Sequence, residues 1–416
     1  KSLKKPTGDL TEADLEKVTE LNLDVSSANR FRSGARIKEA SLEVVAKLTQ
    51  LKILRLHGNQ LTEVTPLAKC ARLTLLHLGN NRLTDLSPLA KLTQLKTLHL
   101  SYNQLTDASP LAKLTQLEYL HLNGNQFAEV SALVGLTKLK TLILSDNKFT
   151  DVSALAKLKH LTYLGLVENK KIDLSTVAKL TKLKTLILGG SRLREVSALA
   201  QLTQLQSLYL GSNKLTDASP LANLMQLATL SLSHNKLTDI SPLAKLTRLK
   251  DLNLESNQIT DVKALAELTQ LKKLRLYGNQ LTDLGALAKL TQLEHLHLTG
   301  NQITDLSALT KLTKLKTFIL SGTNQLTDLS ALAGLTQLKK LYLSNNQITD
   351  ISTLAKLAQL EDLYLRNNQI TDLTPLAKLT KLTHLDLGNN PNLTKAEIDK
   401  LRKALPQCKI IHLAKK

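Results

Sequence analysis

The sequence predicts an α/β solenoid: stacked repeats forming a horseshoe, with a concave parallel β-sheet inside and short 3₁₀ or α turns on the convex side. Three observations predict it. First, a 22-residue pattern runs along most of the 416 residues. Leu51-x-x-Leu54-x-Leu56-x-x-Asn59-x-Leu61-x-x-Val64-x-x-Leu67 returns as Leu73-x-x-Leu76-x-Leu78-x-x-Asn81-x-Leu83-x-x-Leu86-x-x-Leu89. Asparagine recurs in step at Asn103, Asn125, Asn147, Asn169, Asn213, Asn235, Asn257, Asn279 and Asn301. A fixed period of this length marks units that bury their apolar faces against one another. Second, apolar and polar residues alternate briefly within each unit, as in Leu98-His99-Leu100, which is strand periodicity. Third, hydrophobic residues make up 42% of the chain but aromatics only 3%, with no tryptophan. Identical aliphatic layers need no large rings to fill them. A compact globule of this length would split into two or three domains. A solenoid grows by stacking, so one continuous domain with two caps is expected.

Residues 1–47 read as an N-terminal cap containing the first strand. Thr11-Glu12-Ala13-Asp14-Leu15 resembles the capped start of a short helix, and Leu21-Asn22-Leu23 follows as the strand. Residues 48–390 form the array of about sixteen repeats. In the unit from Leu95 to Leu114, Leu98 and Leu100 point inward and Asn103 ends the strand. Its side chain is expected to satisfy backbone groups bared by the turn. Leu105 returns to the core, and Ser109-Pro110 starts a helical turn with serine at the N-cap and proline at the first helical position. The same start recurs at Ser87-Pro88, Ser219-Pro220, Ser241-Pro242 and Thr374-Pro375. Twenty-two residues leave room for one or two turns, partly 3₁₀. An acid precedes most of these starts by two residues (Asp85, Asp107, Asp217) and a lysine follows late in the turn (Lys91, Lys113, Lys245). This order complements the helix dipole and reads as a solubilising framework. Residues 391–416 form the C-terminal cap: Thr394-Lys395-Ala396-Glu397-Ile398 opens a helix running to about Leu405, Pro406 stops it, and Lys409-Ile410-Ile411 is a closing strand.

The ladder has defects. Lys171 takes a leucine position, Ser191 replaces the asparagine, and extra residues enter at Thr323-Asn324 and near Asn390-Pro391. Clustered defects at 169–191 suggest a local bulge, and drift in a tolerant repeat explains them equally well.

The repeating unit Leu-Thr-Gln-Leu-Lys-x-Leu-x-Leu-x-x-Asn-Gln-Leu-Thr-Asp-Leu-Ser-Pro-Leu-Ala resembles bacterial leucine-rich repeats of the internalin-like, 22-residue class over residues 48–390. The resemblance implies binding of another protein, often a surface receptor, on the concave sheet. The caps do not match internalin caps, so an invasion role does not carry over.

Composition and motifs exclude several classes. No apolar run approaches the ~20 residues that span a bilayer. The chain opens at Lys1 and the compartment stays open, with export to the cell surface or medium favoured over the cytoplasm. Cys70 sits in a leucine column and Cys408 in the terminal cap. About fourteen strand spacings, roughly 65 Å, lie between them, against the 7 Å or so a disulfide needs. There is no glycine-rich phosphate loop, no His-Glu-x-x-His and no nucleophile elbow, and the repeated serines and aspartates belong to the framework. No catalysis and no cofactor are expected.

Function is therefore sought where the repeats differ. Five positions around each strand, such as Lys52, Ile53, Arg55, His57 and Gly58, should face concave solvent. All seven tyrosines fall on such positions: Tyr102, Tyr119, Tyr163, Tyr209, Tyr277, Tyr342 and Tyr364. Eight of the ten histidines do too, including His77, His99, His121, His295 and His297. Phe127, Phe149 and Phe318 take leucine columns and should be core. Tyrosine gives large contact area at low entropic cost and is enriched in binding faces. Tyr119, Tyr163, Tyr209, Ile143, Val167 and Ile187 should form an apolar area, and Lys272, Lys273, Arg275, Tyr277, His295 and His297 a cationic one. His77, His99 and His121 share a column about 5 Å apart. Two imidazoles could meet one ion but a straight column cannot offer three, so no metal site is expected. The charge of +20 raises a second reading, capture of a polyanion or acidic cell surface by lysine-rich flanks. The concave columns hold nearly balanced charge, which argues against a dedicated nucleic-acid groove. The expected partner is an unknown protein, and the chain is expected to be monomeric.

Overall fold

The computed structural model describes residues 15–25, 36–149, 151–169, 172–322 and 325–412. The expected helix start at Thr11–Asp14, the substituted Lys171 and the inserted Thr323-Asn324 lie outside these residues. The chain divides into two compact units between Arg192 and Leu193, within the array read from sequence as continuous. Both are solenoids. In the first, eight three-residue strands run from β1 (Glu20–Asn22) to β8 (Thr185–Ile187) and pair in parallel in chain order. In the second, ten strands do the same from β9 (Ser207–Tyr209) to β18 (Lys409–Ile411).

The register follows the 22-residue period: Leu54 stands beside Leu76, and Leu76 beside Leu98. From β2 to β17 the central residue of each strand is thus a buried leucine or phenylalanine, while in the terminal β1 and β18 Leu21 and Ile410 are only half-buried. Phe127, Phe149 and Phe318 are buried as their columns require. Both cysteines are free; Cys70 is buried, and burial raises its thiol pKa.

Most returns are 3₁₀ turns, such as Ser87–Lys91 and Ser109–Lys113. The sequence places serine at their N-cap; in the structure the cap is the aspartate two residues earlier. Each turn begins at the serine itself, so the serine N–H is the donor left bare. Asp107 Oδ1 accepts that N–H at 2.8 Å and its Oδ2 accepts the Ser109 hydroxyl at 2.7 Å. Asp85, Asp217 and Asp305 repeat the arrangement. Inside the region of clustered defects the turn is α-helical instead, Leu174–Val177, capped by Asp173.

The asparagines form an internal ladder within each unit, interrupted in the first where Asn169 Oδ1 has no partner among the described residues. Asn235 Nδ2 donates to Leu232 O at 2.9 Å and, one repeat back, to Leu210 O at 3.0 Å; its Oδ1 accepts from Leu215 N at 3.0 Å. One buried amide closes its own turn and ties it to the preceding one. Ser191 stays buried but reaches only Leu166 O and Gly189 O, both at 3.4 Å. After the inserted residues Asn346 must reach back 26 positions to Leu320 O instead of 25, and its Oδ1 has no partner among the described residues.

Both ends carry extra structure. The helix Glu39–Val45 buries Leu42 and Val45, and Ile37 N donates to the ladder residue Asn59 at 2.9 Å. At the other end the helix Lys395–Ala404 starts with a full capping box between Thr394 and Glu397, and β18 pairs with β17 (His384–Asp386).

The candidate binding face

Many of the residues singled out from sequence stand on the strands themselves, at the positions flanking the central leucines, while Tyr102 and Tyr277 lie beyond the strand ends. In the first unit one column runs Arg55, His77, His99, His121, Ile143, Gly165, Ile187 on successive strands. The adjacent column includes Tyr119, Thr141, Tyr163 and Thr185. Tyr119 is 42% exposed. Ile143 leans across Gly165, where a Cβ would come within 3.3 Å of its Cγ2. Tyr119, Tyr163, Ile143 and Ile187 therefore occupy two adjoining columns, as expected. Tyr209 stands on β9 of the second unit.

Tyr102 lies beyond its strand in a column where the backbone turns left-handed. Its φ is 56°, against neighbours such as Asn80 (56°) and Gly124 (67°). Its ring lies over Gly124, where a Cβ would sit 2.3 Å from it. Glycine at 124 is what makes room for the tyrosine. With 57% of its surface free, Tyr102 is well exposed.

The histidine column is real, and longer than the sequence suggests. Ring centroids are 5.0 Å apart for His77 and His99 and 4.1 Å for His99 and His121. His57, from the next column, extends the series at 5.0 Å from His77. The signal was its place two residues after Arg55, with glycine at the same position one repeat on. Burial holds the His77, His99 and His121 imidazoles below the usual range. His99 is lowest, at about 4, because His121 and His77 oppose its charge as well.

In the second unit the area read as cationic is a network of paired charges. Lys272 and Lys316 both reach Glu294, at 3.6 and 2.6 Å. Arg275 meets Asp251 at 3.0 Å, and His297 meets Glu255 at 3.3 Å. The reason is geometric: acids one or two repeats away lie within side-chain reach, which a list of basic positions does not reveal. Tyr277 stacks on His297 at 5.4 Å, nearly parallel, and His295 stands beside Lys273 and Thr317 in the neighbouring column. Further along, Tyr342 and Tyr364 meet edge to face at 4.7 Å.

Comparison with known proteins fits this frame. The family model for leucine-rich repeats in two copies matches in overlapping or adjoining segments from 49–91 to 358–403. A leucine-rich repeat protein of Leptospira interrogans is 32% identical, with 89% of this chain and 97% of that one covered and a TM-score of 0.80. The chain belongs to the bacterial, internalin-like leucine-rich repeat proteins. An internalin of Listeria monocytogenes, InlF, is 30% identical over 93% of this chain and 92% of its own, with a TM-score of 0.58. The functional domain of InlJ from the same organism is 25% identical over 91% and 75%, with a TM-score of 0.62. No curated protein matches the sequence.

In this leucine-rich repeat protein the turn serines donate their hydroxyls to the aspartates two residues earlier, so these pairs frame the fold. Among the described residues no group of three or more His, Cys, Asp or Glu side chains is placed to hold a metal ion. No helix among them is long and apolar enough to cross a membrane.

Proposed function

We propose that the open face of the sheet binds another protein and that the chain acts as a non-catalytic scaffold. The observation that carries this is the placement of the tyrosines. The sheet face presents Tyr102, Tyr119 and Tyr277 with more than 40% of their surfaces free, while every phenylalanine in the repeats is buried. Packing drives aromatic rings inward; rings held outward on the strands or just beyond them suit a partner. Tyr102 strengthens the case because it occupies a left-handed position that favours glycine or asparagine. Internalin-type relatives share the framework, and the protein ligand usual for that class is the one we assign here.

The second reading, capture of a polyanion, has the net charge of +20 in its favour. Against it, several lysines at the sheet are paired: Lys140 with Glu118 at 2.5 Å, Lys339 with Glu361 at 2.9 Å and Lys340 with Asp362 at 2.7 Å. A charge already neutralised releases little counterion on binding.

One titration separates the two. With a partner captured by the intact chain from surface proteins of the native source, Tyr119→Ala, Tyr163→Ala and Tyr209→Ala should each weaken binding by ~2 kcal/mol or more. Affinity should change only modestly between roughly 50 and 200 mM salt. A steep log-linear fall with salt and unaffected tyrosine variants would instead establish polyanion capture.

A further inference from the structure

The geometry points to a binding site for a divalent transition-metal ion, of the Zn2+ or Cu2+ class, between His57 and His77 over Gly79. The His57 Nδ1 atom is buried and has no hydrogen-bond partner. An unpaired buried nitrogen is unfavourable enough to call for an explanation. A Cβ built on Gly79 would lie 3.1 Å from that nitrogen, 3.2 Å from His77 Nε2 and 3.4 Å from the Ser101 carbonyl oxygen. Two imidazole nitrogens and a carbonyl thus converge on one point that glycine leaves free. An ion bonded at ~2.0–2.1 Å would sit about 1 Å closer to the nitrogens than that point.

The surroundings suit the assignment. The Asp24 carboxylate faces the other nitrogen of His77, Nδ1, at 3.7 Å. The same carboxylate is fixed by accepting the His57 backbone N–H at 2.7 Å. A carboxylate on that side favours the proton on Nδ1 and leaves the Nε2 lone pair toward the ion, as outer carboxylates do around metal-bound histidines. The His57 and His77 rings are 5.0 Å apart and tilted by 35°, so their edges approach without stacking flat. Imidazole donors select zinc, copper or nickel over calcium and magnesium. Two protein nitrogens leave the remaining positions to water or the Ser101 carbonyl. One group opposes the ion: Arg55 stands beside His77 in register. Its removal should tighten binding.

The test is calorimetric titration of the intact, untagged, chelator-stripped chain with Zn2+, paired with thermal melts with and without the ion. Wild type should show one saturable site and a raised midpoint. Gly79→Ala, which fills the point without removing an imidazole, should lose both, as should His57→Gln and His77→Gln. The Gly79 backbone is not left-handed, so alanine adds no backbone strain there and only the two rings must shift; if that variant misfolds, the two glutamine variants decide. Asp24→Asn should weaken the site by about 10- to 100-fold, Arg55→Gln should strengthen it, and His297→Gln should change nothing. Absence of saturable binding in wild type overturns the assignment. So does wild-type affinity in any folded one of the Gly79, His57 or His77 variants.

Discussion

Tyr102 combines two unusual traits, a strained backbone and a ring laid over a neighbour's missing side chain. A bulky residue in the left-handed region is strained by roughly 1–3 kcal/mol, and asparagine tolerates that region better. Tyr102→Asn should therefore shift stability by less than about 1 kcal/mol, relief of strain offsetting the lost ring contact, while weakening partner binding. A urea midpoint falling by more than that would make the ring structural. Asn235 behaves oppositely. Its amide satisfies carbonyls in two repeats, so Asn235→Leu strands several buried groups and should lower stability by about 1–3 kcal/mol; an unchanged urea midpoint would refute the ladder's role. Asn235 was legible from its period alone, because a polar residue recurring among leucines can only be paired. His57 was not, because its column is set by how rings lean across Gly79, which spacing does not encode.

At the scale of elements, the strands and turns followed from leucine spacing, whereas the capping group did not. Serine and aspartate stand two residues apart and both are good caps. Only the start of the 3₁₀ turn decides that aspartate accepts and serine donates. The α turn at Leu174–Val177 was equally hidden, since it differs from its neighbours by one hydrogen-bond step. The C-terminal helix was readable through its capping box, in which Thr394 Oγ1 accepts from Glu397 N at 3.3 Å and Glu397 accepts from Thr394 N at 2.9 Å. Thr394→Ala should reduce stability by ~1 kcal/mol, with amide exchange of the Lys395–Ala404 segment rising before that of the adjoining strands. Uniform exchange across both would show that the helix does not open separately.

For the molecule as a whole, the two sets of depressed pKa values predict how it responds to acid. Burial holds His77, His121, His295 and His297 below their usual range, and His99 down to about 4. An unfolded histidine binds its proton near pH 6.5, so the unfolded chain takes up protons first and stability falls as pH drops from about 6.5 toward 4. Among the turn aspartates Asp85 and Asp217 are also lowered, by the serine hydroxyl and then the serine N–H. Their contribution is present above the unfolded value of ~3.9 and is lost as pH falls through the folded value. Thermal midpoints measured in chelator should thus decline in two stages, and His99→Asn should flatten the first alone. A midpoint constant from pH 7 to 4 would refute the burial of these rings.

The asparagine ladder also sets the increments in which such a chain can change length. Most of its bonds between repeats join residues 20 or 25 positions apart, as from Leu215 and Leu210 to Asn235. Duplicating any window of 22 residues, wherever it begins, returns each donor to an equivalent acceptor. Adding a single residue does not, and the bond from Asn346 to Leu320 O, stretched to 26 positions, marks where one was admitted. Growth by whole quanta is therefore nearly silent to the fold, which leaves the outward columns free to diversify with each added rung.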